Sequence, residues 1–243
     1  MLRYCVKSKL GWGSFSTVWR CVDQEEGCSE VAVKVVQSEE IATAMAKDEV
    51  TLLRKVKERG MKEGYRGSQL IVQLLRNFEQ LGPNGKHQCL VLEALGPNLL
   101  SCIQQQRTGL SLNKVKEVMS QVMKGLDFLH SSAGIIHTDV KPENILLVKA
   151  GKQDFSAEGP PLRVKIADLG GACWTNERFS VEIGTRQYRA PEVLVGVRDY
   201  GPGKSYWTLS LNTVLGCFIV CENLLLRRKI LRCGRVGRWL HCL

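Results

Sequence analysis

The run IIHTDVKPENILL, residues 135–147, sets a His, an Asp, a Lys and an Asn between apolar flanks. Ile135, Ile136, Ile145, Leu146 and Leu147 would anchor a loop whose polar groups all face a cleft. On such a loop Asp139 can accept a proton or orient a hydroxyl, Lys141 can neutralise a transferring phosphate, and the Asn144 amide oxygen can ligate Mg²⁺. Farther along, IADLGG supplies a second carboxylate, Asp168, after a short apolar strand. A carboxylate and an amide oxygen are hard donors suited to Mg²⁺, which prefers oxygen and bridges phosphates. HTDVKPEN read by itself is also compatible with a polar surface turn, but so many specified positions in order favour a site.

Two further groups belong to the same chemistry. LGWGSFSTV places Gly11 and Gly13 in a strand–turn–strand, where a missing Cβ lets backbone N–H groups approach phosphate oxygens. VAVK puts Lys34 at the end of an apolar strand, and a lysine facing a buried side needs an anionic partner. Glu49, on the following helix, is the candidate. Each has a plainer reading: a glycine-rich hairpin, and an edge-strand lysine in solvent beside an exposed helical glutamate.

The elements that must position these groups change character along the chain. RYCVKSKLGWGSFSTVWRCV reads as strand, glycine turn, strand, and SEVAVKVVQS as a third strand. ATAMAKDEVTLLRKVKERG has Met45, Val50, Leu53 and Val56 near helical spacing, with Gly60 as its stop. IVQLLRNFEQ and HQCLVLEAL are two more strands around a GPNG turn. After residue 98 the texture is helical. Ser111 is the expected N-cap of a helix that aligns Val115, Val118, Met119, Val122, Leu126 and Leu129 on one face. A polar loop, KAGKQDFSAEGPP, and a short strand in LRVKIADLG follow. A sheet-rich first part and a helical second part imply two lobes with a cleft between them.

Composition narrows the class. With 44% hydrophobic and 24% charged residues, the 243-residue chain is of ordinary globular type. Its ten cysteines are scattered without C-x-x-C pairs, which points to reduced thiols in the cytosol or nucleus. The formal charge is +10, but residues 197–243 hold eight Lys/Arg against two acidic residues, so most of the excess lies in the last fifth. No nucleic-acid module accompanies it, and direct nucleic-acid binding is not expected.

The ordered set G-x-G-x-F-x-x-V, V-A-V-K, Glu49, H-T-D-V-K-P-E-N, D-L-G and A-P-E resembles the protein kinase signature from Arg3 to about Gly196. LGWGSFSTVW, HTDVKPENILL, IADLGGACW and TRQYRAPEVL look more narrowly like the SR-protein kinases, which phosphorylate Arg/Ser-rich splicing factors. The fold this implies is α+β and two-lobed. Residues 3–95 form the N-lobe and hinge, 96–196 a partial C-lobe, and 197–243 a divergent basic and apolar tail. The resemblance assigns ATP as the nucleotide, with Leu10, Gly11 and Gly13 over it and Ser16 at the usual third glycine. Val18, Ala32 and Leu146 would sandwich the adenine, and the backbones of Glu93 and Leu95 would meet its edge behind Leu92. Lys34, held by Glu49, would grip the α- and β-phosphates. Asp139 would orient the substrate hydroxyl, Lys141 would steady the γ-phosphate, and Asn144 and Asp168 would hold Mg²⁺.

Thr138 stands where most kinases carry an Arg that captures an activation-loop phosphate, and Thr cannot form that charge-assisted pair. The implied site is one ordered without such phosphorylation. After APEVLVG the family pattern is expected to stop, which would leave the A-P-E residue Glu192 without its usual Arg partner and Val115, Val118, Val122, Leu126 and Leu129 without the central helix that covers them. The tail reads as an out-of-frame or alternatively spliced end, or as an erroneous gene model. A membrane span over residues 206–226 is disfavoured by its interrupting polar residues, whereas Leu211, Val214, Leu215, Phe218 and Ile219 allow a substitute helix. The function implied is transfer of the ATP γ-phosphate to protein Ser/Thr, on Arg/Ser-rich proteins, in nucleus and cytoplasm. The rival is a truncated isoform that binds nucleotide or a partner without transfer, and a chain that does not fold stably is the third possibility.

Overall fold

The computed structural model of the chain describes residues 3–64, 66–105, 109–148, 159–177, 183–189 and 193. Its first part is a five-stranded antiparallel sheet of order β1-β2-β3-β5-β4, made by β1 (Tyr4–Trp12), β2 (Ser16–Asp23), β3 (Ser29–Val36), β4 (Leu74–Gly82) and β5 (Gly85–Glu93). Strand periodicity sorts the side chains. Val31, Val33, Cys89 and Val91 join Tyr4 and Cys21 in a cluster on one face, where the Tyr4 ring stacks on Phe78 at 5.5 Å. The alternate residues, among them Val36 and Leu90, enter the main core. Lys34 shares their parity, so it faces the core side of the sheet.

Helix α1 (Glu40–Glu63) runs past the stop expected at Gly60 and ends on Gly64, whose φ of 56° is the left-handed cap conformation. Gly60 has a packing role instead. A Cβ there would lie 2.4 Å from Ser68 Oγ, so the missing side chain lets the 66–70 turn close on the helix. The buried residues of α1 are Ala42, Ala46, Glu49, Val50, Leu52, Leu53 and Val56, while Met45 lies only at their margin.

The second part contains α2 (Leu99–Gln105) and α3 (Leu112–Asp127). Ser111 caps α3 by accepting the Lys114 N–H, and one π-helical turn, Phe128–Ala133, follows. Val115, Val118, Val122, Leu126 and Leu129 are all buried, in one cluster with Ile71, Leu99, Val164 and Ile166. The expected lack of cover is therefore not found. Gly125 contributes, since a Cβ there would come within 2.9 Å of Ile166 Cδ1. Lys114 breaks the amphipathic pattern: it is fully buried, with Nζ donating to Gly159 O at 2.7 Å and Pro160 O at 2.8 Å. A buried ammonium held by carbonyls clamps the chain where it returns to the core.

Two short antiparallel pairs frame the loops of interest. β6 (Ile135–Ile136) pairs with β9 (Cys173–Trp174), and β7 (Ile145–Leu147) pairs with β8 (Val164–Ile166). Residues 137–144 thus leave β6 and re-enter at β7, while 167–172 leave β8 and re-enter at β9, back to back. The A-P-E motif and the 197–243 tail, with its candidate span and substitute helix, lie outside the described residues. Among the described residues no helix is long and apolar enough to cross a membrane.

Candidate active site

Strand register builds the roof of the cleft. Gly11 pairs with Val18, Val18 with Lys34, and Lys34 with Leu90, one row across four strands. Ala32 lies beside this row, opposite Leu92. A Cβ added at Gly11 or Gly13 would meet nothing within 4 Å, so protein packing does not require glycine at either position. The turn between β1 and β2 is thus open at both positions, with the Gly13 N–H donating to Ser16 O at 2.9 Å. Leu10, on the same strand, is half exposed.

Lys34 connects the sheet to the rest of the site. Its Nζ lies 2.8 Å from Glu49 Oε2 on α1 and 3.0 Å from Asp168 Oδ1 after β8. Burial opposes the Lys34 charge, but the two carboxylates outweigh it and raise its pKa, so it stands as an ammonium. Asp168 is half exposed to the cleft. Its partial desolvation pushes its carboxyl up, and the Lys34 charge more than reverses this, so it remains ionised.

The other half of the site is the 137–144 loop. His137 is fully buried and its ring bonds Ala167 O at 3.0 Å through Nε2. Burial pushes its pKa down, so the ring is neutral: Nε2–H donates to Ala167 O, leaving Nδ1 to accept the Asp139 N–H. Thr138 has φ of 66°, an uncommon conformation for a β-branched residue, and Asp168 has φ of 63°. The Thr138 hydroxyl donates to Gly171 O at 2.7 Å, tying the loop to the segment after D-L-G. Where the sequence lacks a phosphate-binding Arg, the structure has a short neutral hydrogen bond.

Asp139 is held by three donors. Lys141 Nζ lies 2.6 Å from its Oδ2, and the Thr185 N–H and hydroxyl both donate to Oδ1 at 2.8 Å. Burial raises the Asp139 pKa, but these donors together lower it below the usual carboxylate range. Lys141 Nζ also bonds Thr185 Oγ1 at 2.7 Å. Asn144 donates Nδ2 to Asp139 O at 2.9 Å, and among the described residues nothing donates to its Oδ1. Asn144 Oδ1 and the Asp168 carboxylate make one amide and one carboxylate oxygen, the donor set of an ion that completes its shell with phosphate and water. Among the described residues no cluster of three or more His, Cys, Asp or Glu forms a metal site by itself. The residues therefore fit a divalent ion carried in with a phosphate ligand.

At the back of the cleft β5 ends on Glu93 and the chain passes through buried Leu95 to Gly96, whose N–H donates to Leu147 O at 2.7 Å. Leu146, partly buried against the core, lies on β7 below this connection. The cleft thus brings together Lys34, Glu49 and Asp168 on one side and Asp139, Lys141 and Asn144 on the other. Leu10 is the expected residue least engaged. Sequence reasoning missed Thr185, the node of the Asp139 cluster. Its only signal was a Gly-Thr step shortly before A-P-E, with Gly184 at φ of 70° and room for no Cβ beyond 2.8 Å from Thr138 O. It also missed the Glu93 side chain and its partner Lys165.

Comparison with known proteins agrees with this geometry. The protein kinase domain family matches residues 4–229, a range that runs past Gly196 into the stretch set apart by composition. Serine/threonine-protein kinase SRPK of Physarum polycephalum is 37% identical over 239 residues, covering 79% of this chain and 55% of that protein. Protein kinase dsk1 of Schizosaccharomyces pombe is 30% identical over 326 residues, covering 86% of this chain and 59% of that protein. Human SRSF protein kinase 3 is 48% identical over 146 residues, covering 60% of this chain and 25% of that protein. The chain thus spans little more than half the length of the first two relatives. With its sheet, ion pair and acidic loop in place, it belongs to the protein kinase family and resembles the SR-protein kinases within it.

Proposed function

We propose that the chain is a serine/threonine protein kinase that transfers the γ-phosphoryl group of ATP to a protein hydroxyl. The observation that carries this reading is the Asp139 carboxylate, held ionised by Lys141 and Thr185 in the same cleft as the Lys34–Glu49 pair. Asp139 Oδ1 already accepts two donors, whereas Oδ2 accepts one, so a free lone pair remains at Oδ2 for a substrate hydroxyl. A hydroxyl bonded there is oriented for attack and can release its proton to Oδ2 as the new P–O bond forms. Lys141 lies beside that oxygen and offsets charge on the transferred group. Lys34 holds the phosphates of bound ATP, and its bond to Glu49 keeps its ammonium in place. Gly11, Gly13, Val18, Ala32, Leu146 and the backbones of Glu93 and Leu95 enclose the nucleotide, with Leu10 at the rim. Mg²⁺, held by Asn144 and Asp168, supplies neutralisation of phosphate charge when bound.

Arg/Ser-rich proteins are the proposed substrates, supported by the name of the SRSF protein kinase relative, and nucleus and cytoplasm the proposed compartments. The Thr138–Gly171 bond supports a loop arrangement that needs no activation-loop phosphate, so replacing both Thr175 and Ser180 by Ala should leave transfer intact. A second reading, in which the chain binds nucleotide or a partner without transfer, uses the same Lys34–Glu49 cleft. The purified chain with Mg·ATP and an Arg/Ser-repeat peptide separates the two. Phosphate incorporation that disappears in Asp139→Asn supports the kinase reading. No incorporation, with a nucleotide-induced rise in melting temperature lost in Lys34→Ala, supports the second. At a hundredfold excess over Kd, nucleotide should add about 2.7 kcal/mol of stability.

A further inference from the structure

The Glu93 side chain makes contacts that the hinge backbone role does not use. Lys165 Nζ lies 2.6 Å from Glu93 Oε1 and 2.8 Å from Oε2, with the two side chains only 14% and 25% exposed. Glu93 Oε1 also accepts the Gln73 N–H at 2.9 Å, and Gln73 Nε2 donates to Ser68 O and Ile71 O. Next to it Val72 N donates to Ile166 O at 2.9 Å. One carboxylate is therefore where the end of β5, the approach to β4, and β8 meet. Lys165 stands opposite Leu146 in the β7–β8 pair, and Asp168 follows it by three residues.

We propose that Lys165 is a positioning residue. By gripping Glu93 it sets the separation between the hinge and the strand that delivers Asp168. This rests on the nucleotide reading above: one end of the strut holds the adenine edge, and the other leads to the carboxylate at the phosphates. An exposed ion pair would have little such effect, because solvent screens it and its side chains move. This one is two-pronged, mostly buried and braced by a third donor, so its geometry is narrowly defined. Within a rigid cleft, ligand groups at both ends bind together only when the spacing is right. Adenosine touches one end of the strut and ATP touches both.

The test is calorimetric titration of the full chain with adenosine and with Mg·ATP. In Lys165→Met, ATP affinity should fall about tenfold while adenosine affinity changes by less than about threefold, and Glu93→Gln should lower ATP affinity as far. The double variant should be no worse than either single one, because both remove the same contact. Lys165→Arg, which keeps charge and reach, should restore the wild-type ATP-to-adenosine ratio, and it serves also if Lys165→Met melts early. Equal weakening of both ligands, an unchanged ratio, or failure of Lys165→Arg to rescue would overturn the strut. A wild-type chain that binds neither ligand would overturn the nucleotide reading itself, and the strut with it.

Discussion

The two sides of the cleft hold their charges by different means. On the sheet side, Lys34 and Glu49 sit on a strand and a helix with side chains 12% and 3% exposed. Strand register and helix period place them, and burial makes each necessary to the other. On the loop side, Asp139 and Lys141 sit on irregular backbone bounded by a Thr138 in the left-handed region. The Asp139 N–H donates to His137 Nδ1 and Asn144 Nδ2 donates to Asp139 O, which define that backbone, while the Thr185 N–H fixes the Asp139 carboxylate. The difference is that the sheet side should fail through stability, and the loop side through chemistry.

The largest expected effect tests the loop side. Asp139→Asn keeps the shape of the side chain but removes its charge and basicity, so transfer should drop about 10³-fold. Its melting temperature should stay within a few degrees of wild type, measured by calorimetry on the same preparation. A large loss of stability would mean that the loop charge is structural and would erase the contrast.

The sheet side is broken by Lys34→Met. It leaves the Glu49 carboxylate buried without its cation and should destabilise the chain by about 3–5 kcal/mol in urea denaturation. Lys34→Met with Glu49→Met should recover most of that loss without recovering nucleotide binding. If the double variant were as unstable as the single one, the pair would matter by packing and not by charge.

Acid should act on the part that carries the loop. Burial pushes His130 down to about 4 and also lowers His137, so both are neutral when folded near pH 7. Unfolded, each takes up a proton below about pH 6.5, so stability is full above that value and is lost as pH falls toward 4. The half-buried position of His130 limits its share to about 1–3 kcal/mol. Urea midpoints at pH 7 and pH 5 check this, and His130→Gln should flatten the slope.

The smallest effect sharpens the account of Thr138. Thr138→Val removes the bond to Gly171 O and should destabilise by about 1 kcal/mol. Thr138→Gly loses the same bond but relieves the left-handed backbone, so it should melt above Thr138→Val. Hydrogen exchange at residues 168–172 should rise in both variants.

Much of the sheet side was legible because it repeats locally. The apolar run of VAVK marked the strand and the spacing of Val50, Leu53 and Val56 the helix, with Lys34 and Glu49 as a candidate pair; strand register and burial decide that the two face each other in the core. The end of α1 was not legible. Gly60 reads as a stop in sequence, yet it is glycine because Ser68 approaches it in space. The burial of Lys114 was not read from the sequence either: besides Glu117 one turn on, its Nζ meets the Gly159 and Pro160 carbonyls, which only the returning chain brings to it. The cover over α3 was underestimated because Ile71 and Ile166, distant in sequence, supply it.

By itself the amino-acid order determined which reactive groups exist, the strand and helix periods that carry Lys34 and Glu49, and the order of motifs that marks the family. Only the tertiary structure decided which donors reach those groups. Thr185 meets Asp139 across 46 residues, and Lys165 meets Glu93 across 72. No local period links positions so far apart. Their meeting depends on how the lobes pack and on how far each side chain reaches, because hydrogen bonds and buried ion pairs form only within about 3 Å.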